Sequence, residues 1–249
     1  MPGKGDVLIG FHEKRSSYIA DIRTCPVLPE HVSSLLLPLR SLVAGLTISD
    51  RLPQIEVAVG ARTTALTFRI LQRPSGKDEI KIREFAEQHR VVIYLQPKGP
   101  DSTYRFCPDS ADRLSYQLPD FDLELDFLPN DFTQVNHPVN RVMVRRALSL
   151  LAPVPGERIA DMFCGLGNFT LPIARLGATV VGVEGSEGLV RRGEAAAKAN
   201  GLSERVSFRV ANLFDASEAS VAKLGLFDKM LIDPPREGAI ELVKALGSD

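Results

Sequence analysis

A ten-residue run, Asp161-Met162-Phe163-Cys164-Gly165-Leu166-Gly167-Asn168-Phe169-Thr170, constrains this chain more than any other feature. The apolar stretch Arg158 to Phe163 reads as a buried strand. Gly165 and Gly167 then supply a turn whose backbone can approach a ligand without interference from a Cβ. A helix starts there, and its first turn presents unpaired N–H groups to that ligand. The next strand, Thr179 to Gly185, ends in the acid Glu184, placed to accept from ribose hydroxyls. The third, Val206 to Ala211, ends at Asn212, whose amide suits an adenine edge. The fourth, Phe227 to Ile232, delivers Asp233 to the same carboxyl-end crevice. Four strand ends meeting at one cleft describe a Rossmann-like α/β sheet built around a nucleoside.

A lone Gly-x-Gly carries little information, and the dinucleotide pattern fails because Thr170 stands where its third glycine belongs. NAD is therefore disfavoured, and S-adenosylmethionine is the cofactor the ordered strand ends favour. Against this stands the plainer reading of ordinary αβ turns with glycine caps.

The rest of the chain bounds the alternatives. With 249 residues, 44% hydrophobic and 24% charged, it has room for two globular domains. A formal charge of −1 provides no overall field for nucleic acid, so any RNA contact is expected from a local patch. The N-terminus lacks a charged-then-apolar signal pattern, and no apolar run approaches the roughly 20 residues that span a bilayer. A cytoplasmic protein is expected, with no membrane and no protein partner. The three cysteines, without short spacing, form neither a disulfide framework nor a complete metal site.

The first half reads as a small α+β module. Gln54 to Gly60 and Thr64 to Ile70 alternate as antiparallel strands, and Ser33 to Val43 and Asp78 to Gln88 read as helices. Val91 to Gln96 and Phe121 to Phe127 complete its sheet, while Pro97 to Asp101 and Cys107 to Ala111 are breaker-rich loops. The boundary is expected near Leu128 to Phe132, dividing the chain into 1–130 and 131–249. Beyond it Asn136 caps a helix with Pro138 in its first turn, and Val142, Met143, Ala147, Leu148 and Leu151 form its buried stripe. Ser186 caps the helix after Glu184, Asn200-Gly201 closes it, and Arg191, Arg192 and Lys198 read as a solvated face. The final helix, Gly238 to Leu246, runs into Gly247-Ser248-Asp249 where a fifth strand is expected to begin, so the sheet reads as truncated.

Three segments carry a resemblance: Asp131-Phe132-Thr133-Gln134-Val135-Asn136, the run from Asp161 through Leu171-Pro172, and Asp233-Pro234-Pro235-Arg236. With Gly10-Phe11, Ile19-Ala20-Asp21-Ile22 and Cys25-Pro26-Val27-Leu28 upstream, the sequence closely resembles the RNA uracil-5-methyltransferases over nearly its whole length. The resemblance implies that Gln134, Phe163, Asn168, Glu184, Asn212 and Asp233 contact S-adenosylmethionine, beside Gly165 and Gly167. It implies 23S rRNA as partner and methylation of uracil C5 as the reaction. In that chemistry a cysteine thiolate adds to uracil C6, C5 attacks the sulfonium methyl, and a base removes the C5 proton.

The resemblance also places the nucleophile in a Ser-Cys-Asn-Pro-like motif after a fifth strand and the base nearer the C-terminus, and neither is in this sequence. Cys164, inside the cofactor turn, reads as a small packing residue and not as a substitute. An amino-terminal RNA-binding barrel is expected of the family as well. The chain is thus read as an internal fragment, inactive by itself. Asp233 is a candidate to orient the uracil edge or the methionine amine. Arg236 is a candidate to hold a phosphate or the base carbonyl, or forms a surface ion pair. Cys25 matches the last of four cysteine ligands to a 4Fe–4S cluster in the family, although one thiolate cannot hold it. The competing readings are another nucleic-acid methyltransferase, acting on cytosine C5 or an exocyclic amine, and a noncatalytic RNA- or cofactor-binding protein. Arg236, where amino methyltransferases place an aromatic residue, favours uracil.

Overall fold

The computed structural model describes residues 7–16, 18–109 and 112–246. They form two compact units, 1–112 and 113–249. The division precedes the expected one at 130/131 because the intervening hairpin belongs to the second unit. The expected break at Gly247 to Asp249, with Ser110 and Ala111 of the expected loop, lies outside the described residues.

The first unit opens with a short antiparallel pair, β1 (Gly10–His12) and β2 (Ile19–Asp21). Its main sheet has the order β3-β4-β5-β6, formed by Gln54–Val59, Thr64–Arg69, Val92–Gln96 and Tyr104–Cys107. β3 and β4 are antiparallel as the alternation predicts. β4 and β5 are parallel, since the 14-residue helix α3 (Gly76–His89) crosses between them. The single helix expected over 33–43 is instead two, α1 (Glu30–Ser33) and α2 (Leu36–Ala44). Pro38 has no N–H for the Ser34 carbonyl, which removes one of the bonds that a continuous helix would make there. Leu39, Leu42, Phe68, Ile82, Phe85 and Ile93 fill the core against this sheet.

In the second unit β7 (Leu114–Leu118) and β8 (Leu123–Phe127) form their own antiparallel hairpin. β8 therefore does not complete the first unit's sheet, correcting the sequence reading. Phe121 lies in a 3-10 turn that begins at Pro119, where proline fixes φ and removes a ladder donor. Helix α4 (His137–Leu151) starts as expected, with the Asn136 side chain accepting from the Val139 N–H at 3.2 Å. Its buried residues are Asn140, Val144 and Leu148, whereas Val142 is 56% exposed. The stripe is rotated because it buries an asparagine, which an apolar pattern does not register.

The main sheet of this unit is wholly parallel, in the order β11-β10-β9-β12. Its strands are β9 (Arg158–Met162), β10 (Thr179–Glu184), β11 (Val206–Val210) and β12 (Lys229–Ile232). Helices α5 (Thr170–Arg175), α6 (Glu187–Ala199), α7 (Glu218–Ala222) and α8 (Ile240–Ala245) connect and follow them. Glycines let α6 lie close on the sheet. A Cβ on Gly193 would stand 2.7 Å from the Phe208 ring, and one on Gly182 would stand 2.9 Å from Cys164 Sγ.

The order of these strands locates the site. The chain runs outward from β9 through β10 to β11, then returns to place β12 on the opposite side of β9. The direction of winding reverses between β9 and β12, and in open α/β sheets a crevice opens at the carboxyl ends beside that reversal.

Candidate functional site at the carboxyl edge of the parallel sheet

Beyond Met162 the chain leaves β9 in a turn that few residue types adopt. Phe163 has φ 63°, and Gly165 and Gly167 have φ 54° and 95°. A non-glycine residue in that region costs on the order of 1–3 kcal/mol and persists only where its surroundings fix it. Here the Cys164 N–H donates to the Val183 carbonyl at 3.1 Å, and the Gly167 N–H closes the turn onto the Cys164 carbonyl at 2.8 Å. A Cβ on Gly165 would meet nothing within 4 Å, so its missing side chain leaves open space.

Glu184 ends β10 beside this turn. One carboxylate oxygen accepts from the Gly165 N–H at 3.1 Å and the other from the Ser186 N–H at 2.9 Å. A carboxylate has about four acceptor positions, so two remain for ligand hydroxyls. Asn212 follows β11. Its oxygen accepts from the Phe214 N–H at 3.1 Å and its amide donates to Asp215, so part of the amide expected to read adenine caps a local turn. Phe214, which the sequence reading did not single out, is 46% exposed and stands edge-on to Phe163 with centroids 5.6 Å apart. Together these rings give the crevice an aromatic wall.

Asn168 pairs with Asn140 through two reciprocal amide bonds of 2.9 Å, which tie the turn to α4. Gln134 is half-buried in the segment leading into α4. The same segment holds Asp131, which pairs with Arg192; Arg192 is thus engaged with that segment, not part of a solvated face. Asp233 follows β12, its N–H donating to the Met162 carbonyl at 3.3 Å, and burial raises its carboxyl pKa above the ordinary value. Arg236 is exposed in the following turn. Glu184 and Asp233 lie close enough to the turn for their charges to act on Asp161 and, from Glu184, on Cys164.

Asp161 is the least expected member. It is fully buried on β9, and its Oδ2 accepts from the Thr170 hydroxyl at 2.5 Å. Burial pushes its carboxyl up to about 7, hydrogen bonds from the Thr170 hydroxyl and N–H oppose this, and the charges of Asp233 and Glu184 add to it. Cys164 is 5% exposed, and burial, then the nearby acids, hold its thiol well above the usual range. It is a packing residue, as its place in the turn suggested.

Other concavities carry less. A cavity of about 660 Å³ in the first unit has Arg62, Arg83 and Arg90 facing Glu87, Asp109 and Asp112, so its charges offset one another. One of about 800 Å³ beside β1 is lined mainly by apolar side chains. Cys25 is half-buried, with its N–H donating to Ser33 Oγ at 2.8 Å. Among the described residues no group of three His, Cys, Asp or Glu is placed to hold a metal ion, so the residues present do not make an iron–sulfur site. No helix among them is long and apolar enough to cross a membrane.

Residues 153–247 match the family described as a methyltransferase domain. The chain is 64% identical over 245 residues to the 23S rRNA (uracil(1939)-C(5))-methyltransferase RlmD of Dechloromonas aromatica, covering 98% of this chain and 57% of that protein. It is 63% identical over 247 residues to the protein of the same name from an Azoarcus species, covering 99% of this chain and again 57% of the relative. The chain thus spans a little over half the length of these curated relatives. In fold it is similar to the Pyrococcus abyssi tRNA (uracil-54, C5)-methyltransferase, solved in complex with S-adenosyl-L-homocysteine. That likeness has a TM-score of 0.71 and 23% identity, covering 96% of this chain and 60% of the other. The parallel sheet and its glycine turn therefore lie in the segment that matches a methyltransferase domain, and over nearly its whole length this chain is similar in sequence to RlmD 23S rRNA (uracil-C5)-methyltransferases.

Proposed function

We propose that the second unit binds S-adenosylmethionine at the carboxyl edge of its parallel sheet and serves the methylation of uracil C5 in 23S rRNA. The observation that carries this reading is the meeting of the Gly165–Gly167 turn, Glu184 and Asp233 beside the reversal between β9 and β12. The residues fit the group: Gly165 leaves space that a Cβ would fill, Glu184 retains free acceptor positions, and one buried oxygen of Asp161 lacks a partner. When bound, the group supplies an electrophilic methyl on a sulfonium.

The chain's own residues bind and orient it. Glu184 accepts from the ribose hydroxyls. Phe163 and Phe214 flank the adenine, and the remaining amide hydrogen of Asn212 reaches its edge. Gln134, Asn168 and Asp233 hold the amino-acid end. Arg236, exposed beside Asp233, engages the RNA through a phosphate or the base carbonyl. Burial keeps the Cys107 and Cys164 thiols protonated, so neither is the thiolate that adds to uracil C6. An rRNA substrate places this work in the cytoplasm.

Calorimetric titration of the chain with S-adenosylmethionine tests the site. Glu184→Ala is expected to weaken binding by about 1.5–3 kcal/mol, the contribution of hydrogen bonds to a charged group. An unchanged dissociation constant in a folded variant would remove the ribose role. The RNA assignment is tested separately, by disrupting the gene in its host and digesting the 23S rRNA. Loss of one 5-methyluridine is the expected result, and an unaltered content rejects it.

A further inference from the structure

Residues 132–135, which carry Gln134 between the β7–β8 hairpin and α4, make no hydrogen bond of their own among the described residues. Their place is therefore set by the two ends. At one end Asn136 caps α4, and Asn140 joins that helix to the glycine turn. At the other, Asp131 Oδ2 accepts from the Leu128 N–H at 2.7 Å and Oδ1 takes the Arg192 guanidinium. That guanidinium lies back over the first turn of α6: a Cβ on Gly188 would stand 3.5 Å from both of its terminal nitrogens and 3.7 Å from Ser186 Oγ. The Ser186 N–H in turn donates to Glu184. The pair is shielded, with the Asp131 side chain 7% exposed and that of Arg192 28%, whereas the Arg191–Glu187 pair on the same helix is 65% and 73% exposed. Water and salt screen the exposed pair and leave the shielded one strong. Arg192 Nε is buried without a partner, and a side chain tolerates such an orphan only where another of its contacts outweighs the cost.

We propose that Arg192 is a positioning residue for the amino-acid end of the methyl donor. By latching Asp131 to α6 it holds residues 132–135, and with them Gln134, in a fixed place relative to Glu184, without touching the ligand itself. The inference rests on the S-adenosylmethionine reading and deepens it by naming what keeps one of its contacts in place. Because the segment has no hydrogen bond of its own, releasing Arg192 frees Gln134, while Glu184, Phe163 and Asn212 stay where their own strands put them. Such a loss acts through population: a segment that keeps its binding geometry about a tenth of the time weakens the apparent affinity about tenfold.

Calorimetry on the full chain with three ligands tests this. S-Adenosylmethionine and S-adenosylhomocysteine carry the amino-acid end, and methylthioadenosine lacks it. Arg192→Met is expected to weaken the first two about tenfold and to leave methylthioadenosine unchanged. Arg191→Met, the same substitution at the exposed pair, is expected to leave all three unchanged. Asp131→Asn offers one oxygen where the Leu128 N–H and Arg192 need two, so it is expected to weaken the same two ligands. The double variant is expected to bind no more weakly than the weaker single one, since both substitutions break one pair. Amide order parameters of 132–135 in the ligand-free protein read the ordering itself, and are expected to fall in Arg192→Met but not in Arg191→Met. Unchanged S-adenosylmethionine affinity in Arg192→Met, an equal loss for methylthioadenosine, losses that add in the double variant, or unaltered order parameters each overturn the proposal and leave the cofactor reading intact. If none of the three ligands binds the wild type, that reading fails and the inference with it. Asp131→Asn keeps the shape of the side chain it replaces and carries the test if Arg192→Met does not fold.

Discussion

Two fully buried aspartates, one in each unit, show how the same side chain is made either structural or responsive. Asp78 accepts from the Thr47 N–H at 2.7 Å, the Thr47 hydroxyl at 2.5 Å, the Ser75 N–H at 3.0 Å and the Ser75 hydroxyl at 2.8 Å. Burial by itself would raise its pKa, but these four donors outweigh it and bring the carboxyl down to about 2. Asp161 draws its hydrogen bonds from Thr170 alone and has two acidic neighbours, and it rises to about 7. Burial is common to both; the number of donors decides which charge state survives. The first carboxylate closes a capping box at the start of α3. The second lies beneath a ligand turn with one oxygen unpaired.

Removing Asp78 should have the largest effect. Asp78→Ala leaves the Ser75 and Thr47 donors without their acceptor and deletes the cap of α3, for an expected loss of about 3 kcal/mol. Hydrogen exchange of the α3 amides reads this directly, and protection unchanged from wild type would mean that the four bonds are not stabilising. The pH dependence has a fixed sign. Because the folded pKa lies below the ordinary 3.8, this stabilisation is fully present above that value and is lost as pH falls toward 2.

Asp161 should behave in the opposite sense and more weakly. Its folded pKa is above 3.8, so the native state retains a proton that the unfolded chain has released. Stability therefore declines as pH rises from about 4 through about 7 and then levels. Asp161→Asn should remove that decline and leave the ligand-free variant about 2 kcal/mol more stable than wild type at pH 8, because a neutral amide avoids the buried charge. Urea midpoints at pH 5 and pH 8 for both proteins supply the comparison. Parallel pH profiles would show that Asp161 is already ionised in the free protein.

The contrast also marks what the sequence can reveal. The four parallel strands and the residues ending them were legible because short apolar runs stop at glycine, Asn212 or Asp233, where local turn chemistry and topology agree. Phe121 was misplaced because it continues the period-two alternation of Leu123, Leu125 and Phe127, while Pro119 and the left-handed Asp122 (φ 49°) end the strand before it. Phe214 was passed over because a phenylalanine after Asn212 reads as core, and its exposure depends on how the 3-10 turn directs it. The state of Asp161 was hidden for a stronger reason. It depends on Thr170, Glu184 and Asp233, which come from separate elements, and no local pattern announces that one buried acid will feel the charge of two more.

The smallest of these effects tests why the β7–β8 hairpin belongs with the second unit. Asn200, at the end of α6, donates to the Glu124 carbonyl at 2.8 Å and accepts from the Glu124 N–H at 3.1 Å. Its side chain thereby pairs with β8 as a neighbouring strand would. Arg175 reinforces the join, donating to the carbonyls of Phe121, Asp122 and Asn200 at 3.1 Å each. Asn200→Ala removes both amide bonds but leaves Arg175 and the hairpin's own ladder in place. Glu124 is also partly reachable by water, which replaces some of what is lost. The expected cost is about 1 kcal/mol, concentrated in faster hydrogen exchange of β8 amides, with α3 in the first unit unaffected. Equal loosening of α3 would mean that the hairpin is shared between the units and that the division at Asp112 is misplaced. Unchanged exchange in β8 would instead give the join to Arg175 alone.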